Sequence, residues 1–230
     1  MTFNIKTGSL SSLETVADVI VRSGVDVVGV QEVDRGTNRS NGVDQPRRLA
    51  ELTRMHASFT PSLPDYDGGQ YGLVVLVAPQ LHVVSSQGYP LDQVEAGEVR
   101  AALQVDIAAS PGERPAFTFI NTHLDHRSTR NRASQAAQLN HIGRAAAAHH
   151  PALLVGDLNA TEGGETIDII REFWTPTREQ VFGIDWVLHH GLQWQPGAAR
   201  ELTARDHPQA REASDHVPVI ADYVLATSRG

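Results

Sequence analysis

Apolar residues recur along the chain with two spacings, one typical of helices and one typical of strands. Between positions 11 and 23 the apolar residues share one helical face: Leu13, Val16, Ala17, Ile20 and Val21. Ser11 and Glu14 have the spacing of a capping box, and Gly24 follows the last turn. The run VDVVGVQEV, Val25–Val33, is rich in β-branched residues and predicts a buried strand. A helix followed directly by an apolar strand favours an α/β class.

The middle of the chain predicts a series of short strands. Four apolar runs separated by turn residues predict consecutive antiparallel hairpins: YGLVVLVAP, LHVVSSQGYPL, EVRAALQVDI and PAFTFINTHL. Further helices are predicted from Pro46, over 128–150 and over 165–174, and further strands at LLVGD, IDWVLHH and VPVIADYVLA. The polar stretches 35–45 and 65–70 predict loops. Because the chain has no internal repeat, linker or low-complexity tract, residues 1–230 are predicted to form a single domain.

Polar residues with catalytic potential gather where these apolar runs begin or end. They are Asn4 in TFNI, Glu32 in GVQEV, Asn121 and His123 in FINTHL, Asp157 and Asn159 in LLVGDLNA, Asp185 in FGIDWVL, and Asp215 and His216 in ASDHVPV. Strand ends converge at one edge of a sheet, and this set of side chains suits a hard divalent cation and phosphate chemistry. In an extended chain, the spacing of Asp157 and Asn159 would point both side chains to the same side.

Each of these residues, taken alone, has an ordinary structural explanation. A single Asp or Asn at a strand end usually forms a turn or caps a helix, and a single His is usually a hydrogen-bonded core residue. The doublets His149–His150 and His189–His190 have no acidic partner at ligand spacing and are interpreted as structural. It is the combination and order of the other pieces that indicates a shared site.

Composition narrows the possible classes of function. The formal net charge of −8 disfavours non-specific binding to nucleic acid, which depends on Lys and Arg. Cys is absent, so thiolate chemistry and disulfides are excluded. No apolar run is long enough for a transmembrane helix, and MTFNIKTG does not have the pattern of a signal peptide. We therefore expect a cytoplasmic protein without stable membrane insertion, or a secreted one if a leader has been removed.

In this order, the motifs resemble those of the endonuclease/exonuclease/phosphatase superfamily, which includes deoxyribonuclease-I-like nucleases, inositol polyphosphate 5-phosphatases and bacterial sphingomyelinases. The resemblance rests on six ordered blocks: Asn4, Gln31–Glu32, Asn121-Thr-His123, Gly156-Asp157-Leu-Asn159, Asp185 and Ser214-Asp215-His216. It implies a four-layer α/β/β/α sandwich of two mixed, mainly antiparallel sheets flanked by helices. It also implies a metal-dependent phosphoric ester hydrolase.

The resemblance also implies a role for each matching residue. Glu32 would be the principal metal ligand, with Asn4 and Asp215 as further ligands. The expected ion is Mg²⁺, with Mn²⁺ or Ca²⁺ as alternatives. Asp157 would orient or deprotonate the attacking water, and His216, oriented by Asp185, would contact the phosphoryl oxygens. His123 would be the second histidine of the site. The remaining expected substrate or phosphate contacts are Asn4, Arg100, Asn121 and Asn159.

The sequence departs from relatives in two places: the first puts a polar role at position 73 in doubt, and the second bears on the substrate. Leu73 follows Gly72 where many bacterial relatives have Asn, and Glu32 is followed by Val33-Asp34-Arg35 where abasic-site nucleases usually have Lys. Together with the acidic balance, this favours a phosphodiester or phosphomonoester of a small molecule or lipid headgroup over nucleic acid. Arg35, Arg39, Arg47 and Arg48 are candidate contacts for that group, although each of them, taken alone, is typical of a solvated loop or helix face. We expect a monomer.

Three alternatives remain at this point. A divalent-metal-dependent nuclease acting on DNA or RNA would use the same residues. A non-catalytic binding module of the same fold usually loses several site residues together, whereas the main ones are present here. A calcineurin-like metallophosphoesterase would need a D-x-H block near the N-terminus and later GDxxD and GNH blocks, and these are absent.

Overall fold

Two six-stranded sheets pack face to face, and helices cover their outer sides. The computed structural model describes residues 1–177, 183–194, 200–203 and 206–224. The first sheet contains, in spatial order, β12 (Arg200–Glu201), β13 (Val219–Ile220), β1 (Thr2–Asn4), β2 (Val27–Arg35), β4 (Gly69–Val77) and β3 (His56–Tyr66). The second contains β5 (His82–Pro90), β6 (Ala101–Ala108), β7 (Phe117–His123), β8 (Ala152–Asp157), β10 (Asp185–His190) and β9 (Thr175–Pro176). A short pair joins β11 (Gln193–Trp194) to β14 (Tyr223–Val224).

Within both sheets most neighbours run antiparallel, but β1–β2 and β7–β8 are parallel. The inner faces form one apolar core that includes Leu73, Val105 and Val155. The outer faces form two more cores, one with α1 (Leu13–Ser23) and α2 (Gln45–Thr53), the other with α3 (Thr129–Ala146) and α4 (Glu165–Arg171). The predicted α/β/β/α sandwich is therefore confirmed.

Helices α1, α2 and α3 each begin after a residue whose side chain accepts a hydrogen bond from a backbone N–H of the first turn. Ser12 caps α1 by accepting from the Thr15 N–H, one residue later than the predicted start. Ser11 instead donates its hydroxyl hydrogen to the Ala213 carbonyl. Ser128, predicted as the first residue of a helix over 128–150, instead caps α3, which begins at Thr129 and ends at Ala146.

Strand β3 was not predicted, and the stretch 65–70 is a tight hairpin turn rather than a loop. Pro61 and Pro64 obscure the strand pattern, but β3 is an edge strand, where proline is tolerated. Asp67 and Gly68 have φ values of 49° and 79°. The resulting two-residue turn places Tyr66 opposite Gly69. The last predicted strand, 217–226, corresponds to two short strands, β13 and β14, in different sheets. Its last two residues lie outside the described residues.

Strand register brings the polar strand ends of the second sheet together. His123 on β7 lies beside Asp157 on β8, and Asp157 lies beside Asp185 on β10. Gly156 makes this close pairing possible, since a Cβ atom there would lie 2.1 Å from the Thr122 carbonyl oxygen. Among the described residues, no helix combines the length and apolar composition that a membrane crossing requires.

Candidate active site

Asn4 joins the two sheets at the candidate site by bridging two carboxylates. Its Nδ2 donates to Glu32 Oε1 at 2.9 Å and to Asp157 Oδ2 at 3.1 Å. Its Oδ1 accepts from the Lys6 N–H at 3.0 Å. Glu32 has a φ of 58° at a point where the β2–β4 register shifts between Val30 and Val33. This bulge places the Glu32 side chain beside Asn4.

Asp157 is the buried centre of the site. Its Oδ1 accepts from the Asn159 backbone N–H at 2.9 Å, and its Oδ2 lies 3.4 Å from His123 Nε2 and 3.7 Å from His216 Nε2. Burial and the nearby negative charge of Asp185 raise the pKa of Asp157 to about 6. The carboxylate can therefore gain and lose a proton close to neutral pH.

Asp185 holds His216 by a short hydrogen bond between Oδ2 and Nδ1, at 2.7 Å. Burial alone would lower the pKa of His216, but the hydrogen bond and charge of Asp185, with Asp157 and Asp215, raise it to about 9. The ring is therefore an imidazolium at neutral pH. Its Nε2 points towards Asp157, as a group that contacts phosphoryl oxygens would require.

His123 and Arg100 form the opposite wall of the site. Burial, followed by the charge of Arg100, keeps the pKa of His123 well below its usual value, so this ring is neutral. Arg100 is buried, and its Nη1 lies 2.9 Å from Glu98 Oε1 and 3.2 Å from His123 Nδ1. The two histidines that lie beside Asp157 therefore differ in charge: His123 is neutral and His216 is positive.

The backbone between Asp157 and Asn159 does not have the extended conformation that was predicted. Strand β8 ends at Asp157, and Asn159 has a φ of 48°, so the chain between them is not extended. The expected reason for their common direction is therefore wrong. A turn closed by the hydrogen bond from the Asn159 N–H to Asp157 holds both residues at the site, and Asn159 Nδ2 donates to the Leu124 carbonyl at 3.0 Å.

Asn121 is a structural link between the sheets and not a surface for phosphate. It is fully buried, and its Nδ2 donates to the carbonyls of Val30 and Val74, both at 2.9 Å. Its Oδ1 accepts from Gln31 Nε2 at 2.6 Å. The prediction of a substrate contact at Asn121 is corrected for this reason: both ends of the amide are already used in the core.

Asp215 lies on the exposed side of the site, where it pairs with Lys6. The distance from Lys6 Nζ to Asp215 Oδ2 is 2.5 Å, and both side chains are nearly half exposed. The charge of Glu32 also raises the pKa of Lys6, though less than Asp215 does. Sequence reasoning missed Lys6, although its position two residues after Asn4 was a usable signal.

A cavity of about 450 Å³ opens beside these groups, and we call it the active-site cavity. Six of the predicted residues line it: Glu32, Arg100, His123, Asp157, Asn159 and His216. Six residues that were not predicted as catalytic or metal groups complete the wall: Arg39, Leu63, Tyr66, Tyr71, Glu98 and His126. Asn4 and Asp185 contact the lining residues from behind.

Arg39 comes from the 35–45 loop, which the sequence suggested as a source of substrate contacts. Its guanidinium binds the buried Asp34 carboxylate through two hydrogen bonds of 2.7 Å. The same group lies over the rings of Tyr66 and Tyr71, at 4.8 and 5.3 Å. The loop side of the active-site cavity is therefore a fixed aromatic and basic wall.

The donor chemistry of the site fits a divalent cation in two places. Asn4, Glu32 and Asp215 offer the hard oxygen ligands that Mg²⁺, Mn²⁺ and Ca²⁺ prefer. Ligand atoms of Asp157, Asp185 and His216 also lie within 4.8 Å of one another. In this second group, however, His216 Nδ1 is already bonded to Asp185, and the raised pKa of His216 disfavours ligation because a metal ion would have to displace the proton.

Comparisons with known proteins show which family and which folds the chain resembles. The model of the Endonuclease/Exonuclease/phosphatase family matches residues 1–216. No curated protein matches the chain significantly. A conserved protein of unknown function from Enterococcus faecalis V583 has a similar structure, with a TM-score of 0.78 and 21% identity, covering 97% of this chain and 98% of the other.

Two further similar structures have named activities or ligands. One is the mannosyl-6-phosphatase Bt3783 from Bacteroides thetaiotaomicron VPI-5482, with a TM-score of 0.67 and 15% identity, covering 97% of this chain and 98% of the other. The other is the human Nocturnin catalytic domain with bound sulfate, with a TM-score of 0.72 and 17% identity, covering 93% of this chain and 87% of the other. At these identities the likeness shows a shared fold.

Proposed function

The chain belongs to the endonuclease/exonuclease/phosphatase family of phosphoric ester hydrolases, and we propose that it is a divalent-metal-dependent phosphoesterase acting on a small phosphorylated molecule. One observation carries the proposal. On one side, the Asp157 carboxylate accepts a hydrogen bond from Asn4, and the same amide nitrogen donates to Glu32. On the other side, Asp157 faces the imidazoles of His123 and His216. A metal-ligand set and a proton-transfer set therefore meet at a single buried carboxylate.

In the proposed reaction, Asp157 orients the attacking water and accepts its proton as the water oxygen bonds to phosphorus. The bond from phosphorus to the ester oxygen breaks, and the alcohol leaves with a proton taken from solvent. Its pKa of about 6 suits a base near neutral pH. His216, held as an imidazolium by Asp185, donates hydrogen bonds to the phosphoryl oxygens on which charge accumulates. Asn159 and Arg100 border the same cavity and would position the phosphate.

The expected ion is Mg²⁺, held by Glu32 and Asn4 with Asp215. When bound there, such an ion supplies Lewis-acid stabilisation of the phosphate and a template for the ester. Lys6 pairs with Oδ2 of Asp215, so a cation bound by this carboxylate would compete with that ion pair. The amide of Asn4 keeps the metal side of the site in contact with Asp157.

The shape and charge of the active-site cavity support a small substrate. Its volume of about 450 Å³ suits a sugar- or nucleotide-sized ligand. Arg39, Tyr66 and Tyr71 form a continuous wall on one side, and the net charge of −8 works against a polyanionic polymer. A mannosyl-6-phosphatase among the similar structures agrees with such a substrate for this fold. A phosphodiester and a phosphomonoester both fit the proposed chemistry.

The test is a comparison of phosphoester hydrolysis with and without metal. Bis(p-nitrophenyl) phosphate, p-nitrophenyl phosphate and a panel of sugar phosphates, nucleotides and lipid headgroup esters are incubated with Mg²⁺, Mn²⁺ or EDTA. Metal-dependent turnover of a small ester supports the proposal. Plasmid nicking without small-ester turnover would instead identify a nuclease, and no turnover with intact metal binding would identify a binding module.

A further inference from the structure

Arg100 contacts two histidines, and its chemistry determines the protonation of both. Nη1 lies 3.2 Å from His123 Nδ1, and Nη2 lies 3.2 Å from His126 Nδ1. A guanidinium has only N–H donors and no acceptor. Each Nδ1 must therefore accept a hydrogen bond with a lone pair. Both imidazoles are then neutral and carry their hydrogen on Nε2.

The two Nε2–H groups have different surroundings. In His123, the group lies 3.4 Å from Asp157 Oδ2, inside the proposed catalytic set. His126 is exposed and lines the active-site cavity, and no described residue forms a hydrogen bond with its Nε2. The proposed reaction leaves this oriented donor at the cavity without a role.

The position of His126 indicates which part of a substrate it would meet. The reacting phosphate must lie next to Asp157. His123 contacts Asp157, Nη1 of Arg100 contacts His123, and Nη2 of the same guanidinium contacts His126. Among the described residues, His126 has no hydrogen bond or ion pair with Asp157, Asn4 or Glu32, so it borders the cavity outside the proposed metal and proton-transfer set. A ligand atom at its Nε2 would belong to the alcohol part of the ester.

We propose that His126 is a substrate-binding residue that donates a hydrogen bond from Nε2 to a hydroxyl or other oxygen of the ester's alcohol group. Arg100 is the positioning residue that fixes the required tautomer. Glu98 binds Arg100 Nη1 at 2.9 Å and also lines the cavity, so the cavity wall offers a carboxylate acceptor as well as this donor. A wall with both kinds of group suits a polyol or sugar, whose hydroxyls donate and accept. This inference rests on the proposed function and assigns the substrate class to that site.

The kinetic test separates the alcohol group from the phosphate. His126→Ala, His126→Gln and the control His56→Ala are assayed on a phenyl ester and a polyol ester of the same type. These are phenyl phosphate and glycerol 3-phosphate for a monoesterase, or diphenyl phosphate and glycerophosphoglycerol for a diesterase. His56 is an exposed histidine at the start of β3 that does not line the cavity.

For His126→Ala we expect the KM of the polyol ester to rise by about tenfold, the effect of one lost hydrogen bond. The kcat and the KM of the phenyl ester should change little. Gln carries an amide N–H near the position of Nε2 and should restore most of the affinity, while His56→Ala should match the wild type. An unchanged KM for the polyol ester would overturn the inference. Equal losses on both esters would also overturn it, because they would place His126 at the phosphate.

A second measurement tests the tautomer without any turnover. Long-range ¹H–¹⁵N correlation spectra of protein labelled at histidine nitrogens distinguish Nδ1–H from Nε2–H. At pH 8, His126 should show a single Nε2–H form in the wild type and an averaged signal in Arg100→Met. An averaged signal or an Nδ1–H form in the wild type would contradict the role of Arg100. If the wild type hydrolyses no ester but shows the fixed tautomer, the proposed function fails and the Arg100 geometry stands.

Discussion

His216 Nδ1 lies 2.7 Å from Asp185 Oδ2, and this pair sets the charge of the ring that faces Asp157. The pKa of His216 is raised to about 9, while that of Asp157 is raised to about 6. Between these values the site holds a deprotonated carboxylate beside a protonated imidazole. This is the combination of base and cationic donor that water attack on a phosphate ester requires.

The first prediction concerns the pH profile of kcat/KM. Asp157 acts when deprotonated, so activity should rise as the pH passes about 6; His216 acts when protonated, so activity should fall as the pH passes about 9. Asp185→Asn removes the partner that raises the pKa of His216, and the alkaline fall should begin at least about one pH unit lower.

Asp18→Asn is the matched control for this measurement. Asp18 pairs with His207 at 3.0 Å in the same manner, and neither residue lines the active-site cavity. The control profile should overlay that of the wild type. An alkaline limb that does not move in Asp185→Asn would show that His216 is not the titrating group.

A second prediction separates the two places where a cation could bind. Glu32→Gln removes a charged oxygen ligand and should weaken Mg²⁺ or Mn²⁺ binding by at least about tenfold. Asp185→Asn should change the metal affinity much less, because Asp185 is bonded to a protonated His216. Isothermal titration calorimetry with each metal measures both directly. The reverse order would place the ion in the Asp157, Asp185 and His216 cluster.

Asn121 provides a third prediction, on stability. Its amide makes three buried hydrogen bonds across the two sheets, so Asn121→Ala should lower the free energy of unfolding by about 2–4 kcal/mol. Asn140→Ala is the control: it removes one hydrogen bond, from Nδ2 to the Ile169 carbonyl, and should cost about 1 kcal/mol. Denaturant unfolding measures both.

The folded fraction of Asn121→Ala should keep most of the kcat, since Asn121 does not line the cavity. A large loss of kcat at full folding, with little change in stability, would restore the expected substrate role. The ratio of the two effects therefore decides whether this amide is a link between sheets or a ligand contact.

Periodicity and strand-end chemistry predicted much of the fold and most of the site. The polar strand ends could be predicted to converge because His123, Asp157 and Asp185 each end or begin a strand with a clear apolar pattern. Their mutual contacts depend on register, which a single sequence does not specify. The depth of a side chain is also set by sheet packing, so Asn121 and His123, two residues apart on one strand, have different roles.

The missed features share a physical cause. Prolines in β3 hid an edge strand, and a left-handed φ at Asn159 replaced the extended geometry that strand spacing suggested. Tyr66 and Tyr71 line the cavity from the paired strands β3 and β4, and that pairing is not specified by a single sequence. Such contacts join residues that are distant in sequence and have no periodic signal.

The most direct test of the account is metal-dependent hydrolysis by the wild type and by Asp157→Asn. The substitution keeps the shape of the side chain but removes the proposed base, which is buried between Asn4 and the two histidines. We expect the wild type to hydrolyse a small phosphoester in Mg²⁺ and not in EDTA. Asp157→Asn should bind metal and remain folded but lose about 10²–10⁴-fold in kcat. Undiminished turnover by a folded Asp157→Asn would contradict the assignment of this carboxylate as the centre of the site.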